Sequence, residues 1–180
     1  MVTFGGVYAG GVARIIVVCG LPGCGKTTLG SVLAEELSAA FLRVDVIETP
    51  LILAGIDVGP LGYQVVHEVA ASNLALGTDV VVDLVNPLPE TRRLWGDLAA
   101  RSASTLVVFE CVVPDRAEHR RRVEARRPDL PGQSVPTWAE VTGRDYVPWD
   151  EERDGPRVVV DMTDTAHGVA MARRELSPGS

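Results

Sequence analysis

Short apolar runs alternate along this 180-residue chain with stretches whose apolar residues recur every three or four positions. Arg14–Cys19 is a β-branched run of the kind that lies in a strand buried on both faces. Leu29, Val32, Leu33 and Leu37 fall at helical spacing and predict a helix from Lys26 to about Ser38. Ala40–Val44 reads as a second strand with Asp45 at its carboxyl end, followed by a Gly- and Pro-containing loop over residues 50–62. Tyr63–Leu76 predicts a helix closed by Gly77, and the valines of Asp79–Val85 predict a third strand. Pro89–Arg101 reads as a helix with Leu94, Trp95 and Leu98 turned to the core, and Thr105–Val113 as a fourth strand. Asp115 then caps a helix dense in arginine. Residues 128–156 carry five prolines and two tryptophans with no period, which predicts an irregular segment. Arg157–Val160 is a last strand and Thr165–Leu176 a last helix, with Ser177–Ser180 expected to fray.

Strands separated by helices imply crossover connections, and therefore a parallel sheet with helices on both faces. No repeat or composition shift marks a second domain, so residues 1–180 read as one α/β domain. Ligands of such sheets bind beyond the carboxyl ends of the strands. Gly20, Asp45, Asn86 and Pro114 all follow predicted strand ends and are expected to share that edge.

The first of these ends opens the most specific feature of the chain. Gly20-Leu21-Pro22-Gly23-Cys24-Gly25-Lys26-Thr27 has the spacing of a phosphate-binding loop, lying between a predicted strand and a predicted helix. Glycines let successive amides curl inward toward phosphate oxygens, and the following helix adds its unpaired N–H groups and its dipole. Gly20, Pro22, Gly23, Cys24, Gly25, Lys26, Thr27 and Thr28 are the expected nucleotide contacts. Lys26 can bridge the β- and γ-phosphates, and the Thr27 hydroxyl can ligate Mg²⁺. Cys24 reads as a small filler of the loop.

Composition sharpens this reading at one point. Of 17 basic residues Lys26 is the single lysine, the rest being arginine. A compact ammonium suits a tight phosphate loop where a broad guanidinium does not. Against 24 acidic residues the net charge is −7, so the overall field repels long nucleic acid. Three cysteines without metal-ligand spacing suggest a reduced, cytoplasmic setting. Met1–Val12 lacks the basic and apolar regions of a signal peptide. No apolar run approaches the roughly 20 residues of a membrane span.

The Gly-x-x-Gly-x-Gly-Lys-Thr form of the loop resembles P-loop kinases. The wider pattern, from Arg14 to about Val160, is similar to the AAA-type predicted kinases related to polynucleotide kinase, zeta toxin and chloramphenicol phosphotransferase. That resemblance implies a P-loop three-layer sandwich with a five-stranded parallel sheet and a helical lid, here about residues 114–150. It also implies ATP with Mg²⁺ as cofactors and transfer of the γ-phosphoryl group to a hydroxyl. Asp45 stands where those kinases carry the carboxylate that orients or deprotonates the acceptor. Relatives often have an arginine three residues on, where this chain has Glu48.

Asp83, late in an apolar strand, is the expected Mg²⁺-shell carboxylate beside Thr27; it can instead serve as the base, with Asp45 reading the substrate. Arg116, Arg120, Arg121, Arg122, Arg126 and Arg127 lie within twelve residues, and Arg122 and Arg126 match the lid arginines of the resemblance, with Arg120 and Arg127 as alternatives. Trp138, Tyr146 and Trp149 either wall the acceptor pocket or close a small satellite core. The histidines show no ligand spacing. The expected function is a kinase whose partner is a small hydroxyl-bearing acceptor. A 5′-hydroxyl polynucleotide or toxin-like kinase and a non-catalytic ATP-binding protein stand as alternatives.

Overall fold

The computed structural model describes residues 12–177, so the expectations for residues 1–11 and 178–180 fall outside it. Its elements run β1 (Arg14–Cys19), α1 (Lys26–Leu37), β2 (Ala40–Arg43), α2 (Val44–Leu53), α3 (Leu61–Leu74), β3 (Val80–Asp83) and α4 (Pro89–Ser102). They continue with β4 (Thr105–Val112), α5 (Arg116–Ala125), α6 (Trp138–Thr142), α7 (Glu151–Asp154), β5 (Val158–Asp161) and α8 (Thr165–Glu175). The strands form one parallel sheet in the order β2-β3-β1-β4-β5.

The first strand, in the middle of the sheet, explains the two-sided core. Its side chains alternate faces, as strand geometry requires. Ile15, Val17 and Cys19 pack with Val66, Ala70, Trp95 and Leu98 of α3 and α4. Ile16 and Val18 pack with Leu29, Leu33, Val169 and Ala172 of α1 and α8. A strand with both faces covered has no polar positions to spare, which is why Arg14–Cys19 reads as an unbroken apolar run.

Three local expectations need correction. Residues 50–62 are not all loop, because α2 follows β2 without a linker and runs on to Leu53. Pro50 is accommodated inside it; its carbonyl still accepts the Ala54 N–H at 3.1 Å. Asp45 therefore sits in the first turn of a helix, one residue after its start, where its negative charge suits the amino-terminal dipole. Leu94 is 36% exposed, and Trp95, Leu98 and Ala99 carry the apolar inner face of α4.

The irregular segment encloses two short helices and is tied down by one buried side chain. Arg92, with no side-chain exposure, pairs with Asp154 at 2.7 Å and donates to the carbonyls of Asn86, Pro87 and Val147. Its guanidinium also stacks on Tyr146 and Trp149. Trp149 itself packs against the core on the α3 and α4 side of the sheet, and Trp138 lies on His119 and Arg116. No helix among the described residues is long and apolar enough to cross a membrane.

Candidate active site

Gly20 to Gly25 turn back on themselves through three left-handed glycines, at φ +132° for Gly20, +84° for Gly23 and +88° for Gly25. At Gly20 the requirement is doubly strict. A Cβ there would run into the Cys111 carbonyl and come within 2.9 Å of Cys24 Sγ. Gly25 is the amino-terminal cap of α1 and offers no side chain to the first-turn amides. By contrast Asp115, Asp150 and Asp164 cap α5, α7 and α8 with their own carboxylates. The uncapped amides of α1 are left free for an anion.

Lys26 is buried, and its Nζ donates to the Leu21 carbonyl at 3.1 Å across the loop. Thr27 Oγ1 donates to Asp83 Oδ2 at 2.6 Å, so the two candidate metal ligands meet although 56 residues separate them. The loop is braced from outside by α5. His119, itself buried, donates from Nε2 to the Pro22 carbonyl at 2.8 Å, since a carbonyl can only accept. Val123 leaves no room for a side chain at Gly23. Burial pushes the Cys24 thiol up, but its hydrogen bond with Cys111 and the Lys26 ammonium outweigh this and bring it to about 7. Buried and packed inside the loop, Cys24 acts as a filler.

A cavity of about 860 Å³ opens from this loop toward α2 and the 126–144 segment. Gly23, Lys26, Thr27 and Asp83 line one end, and Asp45, Glu48, Gln133 and Arg144 the other. Asp45 accepts from Gln133 Nε2 at 3.1 Å and lies 3.7 Å from Arg126 Nη2. Burial first, then the Asp45 charge, pushes the Glu48 carboxyl above its ordinary value, with Arg144 opposing. Burial also raises the Tyr63 hydroxyl, to about 12, while it accepts the Asn86 N–H at 3.2 Å.

The comparisons with known proteins agree on the architecture. The family model described as an AAA domain matches residues 15–139. The chain belongs to the AAA domain family. Its fold is that of P-loop kinases. A sugar kinase from Janibacter sp. HTCC2649 superposes with a TM-score of 0.68 at 14% identity, covering 93% of this chain and 97% of that one. The Mycobacterium tuberculosis APS kinase, in complex with AMPPNP and APS, gives 0.64 at 17% identity over 93% and 100%. A gluconokinase from Sinorhizobium meliloti 1021 gives 0.52 at 17% identity over 91% and 95%. No curated protein matches the sequence.

Within this AAA domain the expected site residues separate into two groups. Pro22, Gly23, Gly25, Lys26, Thr27, Thr28, Asp45, Asp83, Arg122 and Arg126 all line the one cavity. Gly20 and Cys24 shape the loop from behind it. The arginines of α5 are less available than their number suggests. Arg120 pairs with Glu124, and Arg121 and Arg122 both pair with Glu118, whose carboxyl they draw down to about 2. Arg122 further donates to the carbonyls of Met162 and Thr163 at 2.7 and 2.8 Å. It thereby anchors the turn after β5, leaving Arg126 as the arginine that faces Asp45.

Trp138, Tyr146 and Trp149 do not line the cavity. Arg43 and Gln133 went unnoticed in the sequence. The Arg43 guanidinium bridges Asp83, at 3.6 Å, and Asp129, at 2.6 Å, and so links the sheet edge to the segment above it. An arginine two residues before a candidate catalytic carboxylate is a weak signal alone. Its meaning depends on where β2 ends.

Proposed function

We propose that this AAA domain is an ATP-dependent phosphotransferase that moves the γ-phosphoryl group to a hydroxyl of a small molecule. The observation that carries the reading is the continuity of the cavity. Room for a second substrate lies beside the phosphate loop, and a carboxylate, Asp45, is on its wall. A purely nucleotide-binding protein has no use for that space.

In this reading the loop amides and Lys26 hold the β- and γ-phosphates, with the ammonium leaving the Leu21 carbonyl for phosphate oxygen. Asp45 takes a hydrogen bond from the acceptor hydroxyl and aligns its oxygen with the γ-phosphorus. The new P–O bond forms as the bond to the β,γ-bridging oxygen breaks; ADP leaves, and the hydroxyl proton passes to the Asp45 carboxylate. Arg126 swings from Asp45 to the transferring phosphoryl group, where positive charge has most effect. Thr27 and Asp83 suit Mg²⁺, a hard cation that keeps several waters and binds through few protein oxygens. Bound there, the ion would neutralise charge on the phosphate chain. Three of the four arginines of α5 are engaged with glutamates of the same helix, and this favours a small acceptor over a polynucleotide.

The test is a screen of hydroxyl-bearing compounds for ADP release, with the Lys26→Ala protein as blank and phosphorus NMR of the product. Release above the blank with a phosphorylated acceptor supports the reading. ATP binding with no transfer to any acceptor would overturn it.

A further inference from the structure

The wall of the cavity away from the phosphate loop carries an unbalanced set of polar atoms. The hydrogen bond from Gln133 Nε2 to Asp45 fixes the orientation of that amide, because the reverse would set a carbonyl oxygen against a carboxylate. Gln133 Oε1 is then buried with nothing donating to it. Glu48 lies one helical turn beyond Asp45 on α2, half-buried, with its carboxylate packed over Gly62. Any side chain at position 62 would collide with that carboxylate, so the glycine keeps its place open.

Two of the charged donors nearby are committed elsewhere, while Arg127 on the cavity wall forms no ion pair among the described residues. Arg126 stands between Asp45 and Asp129, and Arg43 between Asp83 and Asp129. Arg144, exposed at the rim, acts on Glu48 through its charge without forming an ion pair among the described residues. A buried acceptor without a donor and a half-buried carboxylate without a contacting cation among the described residues are both costly. A ligand that brings N–H donors and positive charge relieves both. A neutral polyol relieves only the first, and an anionic acceptor relieves neither.

We propose that the phosphoryl acceptor is an amino alcohol, its ammonium read by Glu48 and Gln133 Oε1 while a hydroxyl of the same molecule faces Asp45. The proposal rests on the phosphotransferase reading and adds the acceptor's charge to it. Glu48 is here a specificity residue. It takes no proton and no phosphoryl group.

Initial rates with ATP test it, using 2-amino-2-deoxy sugars and aminocyclitols beside their neutral parent polyols and the matching uronic acids. Within each matched set the amine is expected to give the higher kcat/KM, by about 10- to 100-fold, the scale of one charge-assisted hydrogen bond. Most of that advantage should lie in KM. Glu48→Gln should bring the ratio of amine to neutral parent close to one, and Glu48→Asp should retain part of it. Gln133→Met, which removes the orphaned acceptor, should lower the ratio independently should Glu48→Gln fold poorly.

Preference for the neutral or acidic member, or a ratio that Glu48→Gln leaves untouched, overturns the proposal while the phosphotransferase reading stands. If the wild-type protein phosphorylates no member of these sets but does phosphorylate another hydroxyl compound of the screen, this proposal alone falls. If it binds ATP and transfers to no acceptor at all, the phosphotransferase reading falls as well.

Discussion

The two ends of the cavity are built in opposite ways. Apart from Asp83, the phosphate end is one contiguous segment, residues 20–28, held by backbone conformation and by the buried sheet behind it. The acceptor end draws on α2, α3 and the 126–144 segment, and it is held by side-chain charge: Arg43 to Asp129, Arg126 to Asp45, Gln133 to Asp45. Backbone curvature in a packed environment has few alternatives, so the shape of the phosphate end is set before any ligand arrives. Charged pairs with partial exposure exchange partners at little cost, since their Coulomb energy is screened and each pair gives up side-chain entropy. That arrangement suits a site that must admit an acceptor and then rearrange around it.

The sharpest break in this comparison is Lys26→Ala. It is expected to lower kcat/KM by about 1000-fold or more, the scale of other cations that clamp a transferring phosphoryl group. Nucleotide titration should weaken in parallel, because the loss falls at the phosphate end. Asp45→Asn should cost about 100-fold or more in kcat, as loss of a general base does, while ATP affinity measured by calorimetry stays close to wild type. If affinity for ATP falls as far as kcat, the two ends are not separable as described.

Gly20→Ala probes backbone rather than charge. With φ at +132° and the Cys111 carbonyl in the way, it should destabilise the protein by about 1–3 kcal/mol in urea unfolding and weaken nucleotide binding.

Glu48→Gln at the acceptor end should have the smallest effect on stability, and of the opposite sign. The Glu48 carboxyl is raised in the folded chain, so its protonated form favours folding. That contribution is complete below the ordinary value of 4.5 and disappears as pH rises through the raised value. The substitution should therefore raise the urea midpoint slightly at neutral pH and leave it unchanged in acid. A lowered midpoint at neutral pH would mean that Glu48 has a stabilising partner.

Much of the fold was legible because each strand announces itself locally. Apolar runs such as Arg14–Cys19 and Val80–Asp83 have to be continuous when both faces are covered. The phosphate loop was legible for a related reason, since its chemistry resides in consecutive residues whose spacing is the mechanism. The start of α2 was hidden. Its apolar positions Val44, Ile47 and Leu51 do follow helical spacing, but Pro50 and the glycines after it suggested a loop. Leu94 looked inward by period and proved more than a third exposed, since spacing names a face but not what covers it.

By itself the sequence determined the parallel α/β layout, the anion-binding turn and the lone lysine within it. These follow from backbone sterics and periodicity, which act over a few residues. Only the tertiary structure decided that Thr27 meets Asp83, that α5 spends most of its arginines on Glu118, Glu124 and backbone carbonyls, and that among the described residues Glu48 has no ion pair and Gln133 Oε1 no donor. Which charge pairs with which depends on distances across segments far apart in the chain, and linear order carries no measure of those.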